Sequence, residues 1–155
     1  MMKKSDILSK VLGLRFGYNM EELKRFVTDS VRWDKEQWEE YHNKLVSDVV
    51  IHAYKHVPYY HDLFDNNGIN PHSIKSENDL QNIPVTRKKD ILNNPHSFMA
   101  DNANTFHPMK HHTGGTTGRP MFYYNDRKSW ALNWALKMYT FEQAGFHFGD
   151  RKSVV

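Results

Sequence analysis

Residues 113–120 read Thr-Gly-Gly-Thr-Thr-Gly-Arg-Pro, a loop in which glycine and threonine dominate. Glycines free the backbone to present successive N–H groups to an anion, and threonine hydroxyls add further donors. Arg119 supplies a fixed positive charge that can bind phosphate oxygens in a forked geometry. The spacing fits neither the Walker P-loop nor the dinucleotide-binding fingerprint. The residues alone therefore leave two interpretations open, a phosphate-binding loop and a flexible surface turn.

Short β-prone runs flank this loop on both sides. Residues 106–112 are expected to be extended, although Pro108 would keep them at the edge or end of a sheet. Residues 121–124 form the second run, and residues 152–155 begin like a further strand. Because helical patterns precede and separate these runs, the chain is expected to have an α/β fold.

Two long segments have the apolar periodicity of helices. The first starts after Asp34, which can form a capping box with Gln37, and it stops at Pro58. Its predicted apolar stripe comprises Trp38, Tyr41, Leu45, Val49, Ala53 and Val57. The second starts after Asp126 and ends with Gly145 as its C-cap. Its predicted apolar face comprises Trp130, Trp134, Met138 and Phe141.

The remaining segments are predicted to be short helices and turns. Residues 1–32 should form short helices, and a helix over residues 60–66 should end at Asn67-Gly68. Residues 96–105 are expected to form a loop. Capped helical turns before that loop are expected to start at Asn70, Ser76 and Thr86.

Composition and charge narrow the functional classes. The net charge of +3 is spread along the chain, which suits an anionic partner such as a nucleotide and argues against a nucleic-acid groove. The absence of cysteine excludes disulfide and thiolate chemistry. Asp6, Lys10 and Arg15 interrupt the apolar residues near the N-terminus, so no signal peptide is predicted. No apolar run approaches a membrane span, and we expect a cytoplasmic protein.

Two clusters of polar side chains have residue types that occur in binding sites. Asp48, His52 and His56 share one helix face and could bind zinc with a further ligand, but a solvated face is the favoured interpretation. His107, His111 and His112 precede the loop and could contact phosphates when protonated, yet ordinary edge-strand residues are favoured. No metal site is therefore predicted from these residues.

The loop resembles the phosphate-binding motif of the adenylate-forming superfamily, usually written Ser/Thr-Gly-Thr-Thr-Gly-Lys-Pro. Its flanks resemble a narrower branch, the phenylacetate–CoA ligases and the CapK-type proteins of capsule biosynthesis. The matching segments are Val57-Pro58-Tyr59-Tyr60, residues 64–71, residues 83–91, Ala144-Gly145 and Gly149-Asp150-Arg151. The resemblance covers roughly residues 33–155. The chain departs from the common pattern at Gly114, where serine is usual, at Arg119, where lysine is usual, and at Met121.

The resemblance implies an ATP-dependent, AMP-forming ligase that uses ATP and Mg²⁺. Such a ligase activates a carboxylate substrate as an acyl-adenylate and transfers the acyl group to coenzyme A or another acceptor. It implies that ATP phosphates are held by Thr113, Gly114, Gly115, Thr116, Thr117, Gly118 and Arg119. No catalytic residue is identifiable in this span. Residues 1–105 would form a mainly helical N-terminal segment, and residues 106–155 would begin an incomplete ATP-binding α/β domain of the adenylate-forming type.

Family members are longer, and their adenine-binding and Mg²⁺-binding motifs lie downstream of the matched region. The 155 residues are therefore expected to be a fragment that does not catalyse adenylation alone. Its expected partners are a nucleotide, a carboxylate, and a missing C-terminal part or a second copy. The alternative is a non-catalytic truncated or split module that binds a partner chain or an anionic ligand.

Overall fold

Residues 4–114 and 121–146 are described in a computed structural model of the chain. The α-helices are α1 (Lys4–Phe16), α2 (Met20–Ser30), α3 (Lys35–His56), α4 (Pro58–Asn66), α5 (Lys88–Asn93) and α6 (Arg127–Gln143). The strands are β1 (Met109–His112) and β2 (Phe122–Asn125). Short 3₁₀ helices cover Pro71–Ser73, Glu77–Asn82, Pro95–Phe98 and Ala103–Phe106. The described residues are thus mostly helical.

The chain divides into two compact units. The first unit combines Met1–Trp33 with Phe106–Val155, and the second unit is Asp34–Thr105. The division predicted from the sequence, a mainly helical segment over residues 1–105 and an ATP-binding domain from residue 106, stays a prediction. The sequence grouped residues 1–33 with the helical segment, whereas α1 and α2 share a core with α6 in the first unit. That residues 106–155 begin an ATP-binding α/β domain stays a prediction.

The core of the first unit lies between α1, α2 and α6. Its buried residues are Leu12, Phe16, Met20, Val27, Ala131, Ala135 and Met138. The two alanines are fully buried, and their small side chains allow close packing against the neighbouring helices. Lys24 of α2 adds an ion pair with Glu142 of α6, with 2.6 Å between Nζ and Oε1. The two helices are therefore joined by apolar packing and by one partly screened ion pair.

The buried face of α6 differs in part from the predicted face. Met138 is buried as predicted, and Trp130 and Trp134 pack against the core while staying half-buried. Phe141 is exposed and contacts Phe146 instead, with ring centroids 6.5 Å apart. The alanines one position after each tryptophan occupy the centre of the interface, so the tryptophans lie at its margin.

Both ends of α6 confirm the predicted caps. The Asp126 carboxylate accepts a hydrogen bond from the Ser129 N–H at 2.7 Å. At the other end Gly145 has a φ of 79°, and the Phe146 N–H donates to the Phe141 carbonyl at 2.9 Å. This is the left-handed glycine termination in which an apolar contact accompanies the backbone hydrogen bonds.

The two strands form an antiparallel hairpin, in which His111 lies opposite Tyr123 and His112 opposite Phe122. The first strand is shorter than the predicted run over residues 106–112. The segment Ala103–Phe106 forms a 3₁₀ helix, and His107 follows with a φ of 50°, so pairing starts only at Met109. Residues 152–155 lie outside the described residues, and the full α/β fold stays a prediction.

The second unit is built around α3, whose buried face is offset by one residue from the predicted stripe at Leu45 and Val49, whereas Val57 after the helix is buried as predicted. Val50 is buried with Phe64 and Ile74, and Val46 and Tyr54 pack against them. Leu45 and Val49 are instead 46% and 60% exposed. The predicted stripe is wrong at these positions because α4 and the Pro71–Ser73 turn pack on the neighbouring face of the helix.

Local signals at the helix ends of the second unit are confirmed. Asp34 and Gln37 form the predicted reciprocal capping box. Helix α4 starts at Pro58, two residues before the predicted start, because proline is favoured in the first turn. It ends with Gly68 at a φ of 62°, and the Ile69 N–H donates to the Phe64 carbonyl at 2.9 Å.

The turns after α4 agree with the sequence in two of three cases. Asn70 and Ser76 cap their turns as predicted. The third turn is capped at Arg87 instead of Thr86, because the Asp90 carboxylate accepts the Arg87 N–H at 2.8 Å. The predicted loop over residues 96–105 contains most of two 3₁₀ helices. None of the helices among residues 4–114 and 121–146 is both long and apolar enough to cross a membrane.

Candidate phosphate-binding loop

The predicted loop is anchored by the first unit's hairpin. Thr113 and Gly114 belong to the described residues, whereas Gly115, Thr116, Thr117, Gly118 and Arg119 lie outside them. The chain enters from β1 and leaves through Met121 into β2. The structure therefore defines the two ends of the loop, and the phosphate contacts of its residues stay a prediction.

Thr113 and Met121 hold the two ends of the loop together. The Thr113 N–H donates to the Met121 carbonyl at 3.0 Å. The Met121 N–H donates to the Thr113 hydroxyl oxygen at 3.1 Å. Both residues are partly buried, so water competes weakly for these bonds. The Thr113 side chain thus has a structural partner, and sequence analysis had considered its hydroxyl only as a phosphate donor.

One face of the hairpin packs against the start of α6. The imidazole of His111 stacks on Tyr123, with ring centroids 5.5 Å apart, and on Trp130, with centroids 5.3 Å apart. The His111 Nε2 atom is buried and has no hydrogen-bond partner in the described part of the chain. Aromatic stacking, and not hydrogen bonding through Nε2, therefore holds this face of the hairpin against α6.

The opposite face of the hairpin is exposed. It carries the side chains of Lys110, His112, Phe122 and Tyr124, which alternate with the packed residues along both strands. The Lys110 ammonium lies 4.2 Å from the centre of the Phe122 ring, a cation–π contact. This face therefore combines two basic side chains with two aromatic rings beside the loop.

The three histidines that precede the loop occupy different environments. His111 and His112 belong to β1, as the favoured interpretation expected, and their side chains point to opposite faces. His107 precedes the strand and is exposed. Side chains of β1 alternate between the two faces of the hairpin, so His111 packs against the protein whereas His112 is exposed.

The histidines of α3 have partners within the second unit. His56 pairs with Asp101 at 2.7 Å between Nδ1 and Oδ1, and His52 Nε2 lies 3.2 Å from the Asn102 amide oxygen. Asp48 pairs with Lys44 at 2.7 Å. Across the described residues, no three histidine or acidic side chains come together in a way that could hold a metal ion. These contacts tie the segment after Phe98 to α3.

Comparison with known proteins gives one partial relationship. No family model matches the chain. A phenylacetate–coenzyme A ligase from Aromatoleum evansii is 38% identical to it over 71 residues, which are 46% of this chain. The chain spans 16% of the length of that relative. Part of the chain is therefore related to an acyl-CoA ligase, which supports the relationship to AMP-forming ligases.

Proposed function

We propose that the chain carries the ATP-phosphate-binding segment of an AMP-forming ligase. In the proposed reaction a carboxylate attacks the α-phosphate of ATP, which gives an acyl-adenylate and releases pyrophosphate. A thiol, that of coenzyme A, or another acceptor then takes the acyl group and releases AMP. The proposal for the whole reaction rests on the partial relationship to a phenylacetate–coenzyme A ligase.

The observation that carries the phosphate-binding role is the closure of the loop by Thr113 and Met121. Two hydrogen bonds, at 3.0 and 3.1 Å, join the residues that bracket the glycine-rich segment. A loop with fixed ends loses less conformational entropy when it closes on a ligand than a free segment does. The segment between these residues has the glycines and hydroxyls that suit an anion.

In this proposal the residues act on the phosphates that leave in the first half-reaction. Thr113 anchors the start of the loop through its bonds to Met121. Backbone N–H groups over residues 114–118 and the hydroxyls of Thr116 and Thr117 bind the β- and γ-phosphate oxygens. Arg119 adds a charge-assisted contact and stabilises the negative charge that develops on departing pyrophosphate. Mg²⁺, when bound, would neutralise part of the same charge.

Three finer assignments belong to the same proposal. The CapK-type branch, with a role in capsule or polysaccharide biosynthesis, is supported by the resemblance of the segments around Val57-Pro58-Tyr59-Tyr60 and residues 83–91. Coenzyme A as the acceptor is supported by the name of the relative. A cytoplasmic location is proposed from the relationship to a coenzyme A ligase.

A second candidate function is a non-catalytic module that binds a partner chain. The observation that favours it is the uncovered side of α3, where Leu45 and Val49 are largely exposed. Apolar side chains exposed side by side on one helix suit a partner surface. This candidate predicts that nucleotides do not bind to the chain.

Binding of ATP and of inorganic tripolyphosphate to the 155-residue chain tests the phosphate-binding role. We expect Arg119→Ala to weaken both ligands about 10-fold or more, the scale of a lost hydrogen bond to a charged group. Arg119→Lys should retain most of the affinity because it keeps the charge. Arg25→Ala, which removes an exposed arginine from α2, is the matched control. Equal affinities of the Arg119→Ala and Arg25→Ala variants would contradict the proposal.

A further inference from the structure

An apolar groove in the second unit lies open beside α3. Val49 and Ala53 of α3 line this groove together with Leu80 and Ile83 from the segment after α4, and its volume is about 400 Å³. Val49 is 60% exposed, and the apolar surface continues one helical turn further to Leu45, which is 46% exposed. The apolar surface is therefore longer than the groove, which suits a rod-shaped partner such as a helix.

The start of α3, on one side of Leu45, is acidic. Glu36, Glu39 and Glu40 lie in the first two turns of the helix and are exposed. Lys35 pairs with Glu39 at 3.4 Å, so three carboxylates share this end of the helix with one ammonium group. The start of α3 therefore keeps a net negative charge that can attract a basic surface.

The end of the groove at Thr86 is basic. Thr86 lines the groove, and the exposed side chains of Arg87, Lys88 and Lys89 follow it directly. The nearby Asp90 carboxylate accepts the backbone N–H of Arg87. No carboxylate in the described part of the chain forms an ion pair with any of these three basic side chains. They therefore remain available to the carboxylates of a partner.

We infer that this surface binds a second copy of the chain, with the two α3 helices antiparallel across a two-fold axis between Leu45 and Val49. A two-fold interface needs one patch that complements itself. Glu39 and Glu40 precede the axis by about 11 Å, and Ala53 in the groove follows it by about 9 Å, at about 1.5 Å per residue. The acidic start of each helix therefore reaches the groove of the other copy, beside its basic segment.

A second copy accounts for more of this surface than other partners do. An anionic small molecule would use the groove and the basic segment, but not the exposed Leu45 or the acidic start of α3. A nucleic acid would be repelled by Glu36, Glu39 and Glu40. The apolar centre is small compared with the roughly 800 Å² per chain of a standard interface, so we expect a weak dimer with a Kd of about 1–100 μM. The inference is independent of phosphate binding, which is proposed for the loop of the first unit.

Sedimentation velocity of the 155-residue chain, over a concentration range that brackets the expected Kd, tests the inference. Leu45→Glu places a charge at the centre of the interface. Leu136→Glu is the matched control, because Leu136 of α6 is 49% exposed and lies outside this surface. Circular dichroism and a thermal melt verify that each variant keeps its fold. We expect Leu45→Glu to raise the dimer Kd about tenfold or more, the scale of a desolvated unpaired charge, and Leu136→Glu to dimerise like the wild type.

Charge reversal tests the antiparallel arrangement. One variant carries Glu39→Lys and Glu40→Lys, and the other carries Arg87→Glu and Lys88→Glu. Each variant alone presents like charges at both ends of its interface, so we expect its dimer Kd to rise about fivefold or more. An equal mixture of the two variants pairs opposite charges at both ends again, so we expect a heterodimer with an affinity close to that of the wild-type dimer.

Three outcomes would overturn the inference. A wild-type chain that stays monomeric at every concentration would remove the dimer. Equal weakening by Leu45→Glu and Leu136→Glu would place the contact elsewhere on the chain. Two charge-reversal variants that do not associate when mixed would exclude the antiparallel pairing. ATP and tripolyphosphate titrations of Leu45→Glu should match those of the wild type, so a failure of dimerisation and a failure of phosphate binding are separate results.

Discussion

The Thr113 hydroxyl oxygen accepts the Met121 N–H at 3.1 Å, and the Thr113 N–H donates to the Met121 carbonyl at 3.0 Å. This reciprocal pair extends the β1–β2 ladder by one step and closes the base of the glycine-rich segment. The side chain and the backbone N–H of Thr113 therefore both bind Met121, the residue that follows the loop. The loop is therefore attached to a defined frame in the first unit.

Thr113→Val tests this closure. Valine keeps the shape of the side chain but removes the acceptor, so the partly buried Met121 N–H loses its partner. We expect the free energy of unfolding to fall by about 1 kcal/mol, the typical net contribution of a hydrogen bond. Thr113→Ser should retain the contact and the stability. Urea titrations that give the same midpoint for both variants would contradict the role of the hydroxyl.

The stacked His111 gives a second prediction. Its buried Nε2 has no partner among the described residues, so His111→Phe removes an unsatisfied polar atom and keeps an aromatic ring against Trp130. We expect a free energy of unfolding equal to or higher than that of the wild type, by up to about 1 kcal/mol. His112→Phe, on the exposed face, is the control and should change little. Destabilisation by more than about 1 kcal/mol in His111→Phe would show that Nε2 makes a required bond.

A matched pair of substitutions tests the buried face of α3. Val50 is buried against Phe64, whereas its neighbour Val49 is 60% exposed. Val50→Ala should therefore cost about 2 kcal/mol of stability, and Val49→Ala should stay within about 0.5 kcal/mol of the wild type. Thermal or chemical denaturation measures both. A larger loss of stability in Val49→Ala than in Val50→Ala would instead support the apolar stripe that the periodicity predicted.

Acid should weaken the second unit through Asp79. The Lys75 N–H, the Ser76 hydroxyl and the Ser76 N–H all donate to this carboxylate and hold its pKa below the usual value of 3.8. Since the folded state has the lower pKa, the contribution is fully present above about pH 4 and is lost as the pH falls through the folded pKa.

Unfolding titrations between about pH 6 and pH 2.5 test this dependence. Asp79→Asn should be less stable than the wild type at pH 6, and the two should converge in acid. Asp62→Asn, at an exposed aspartate of α4, is the control and should follow the wild type. A constant difference between Asp79→Asn and wild type across the range would contradict the assignment.

The features predicted correctly from sequence are those that neighbouring residues determine. The Asp34–Gln37 capping box, the Asp126 cap and the glycine terminations at Gly68 and Gly145 each depend on a few consecutive residues. Their chemistry is the same whatever packs nearby, so the sequence alone was sufficient for them.

The features that sequence missed depend on distant contacts. Helix α3 has apolar residues on two adjacent faces, and only the packing of α4 and the Pro71–Ser73 turn selects Val50 over Val49. The packing of α1 and α2 against α6 brings together residues that are more than a hundred positions apart in the sequence. In the candidate site, sequence identified the loop, but not the partnership of Thr113 with Met121.

Backbone amide NMR of the ¹⁵N-labelled chain during an ATP titration tests the central claim most directly. If the loop binds the phosphates, the N–H resonances of Gly114, Gly115 and Gly118 shift with ATP and with tripolyphosphate, and Arg119→Ala suppresses both shifts. Resonances of the second unit, such as that of Gly68, should not move. Saturable ATP binding that leaves these three loop glycines unshifted, or no ATP-induced shift at all, would contradict the account.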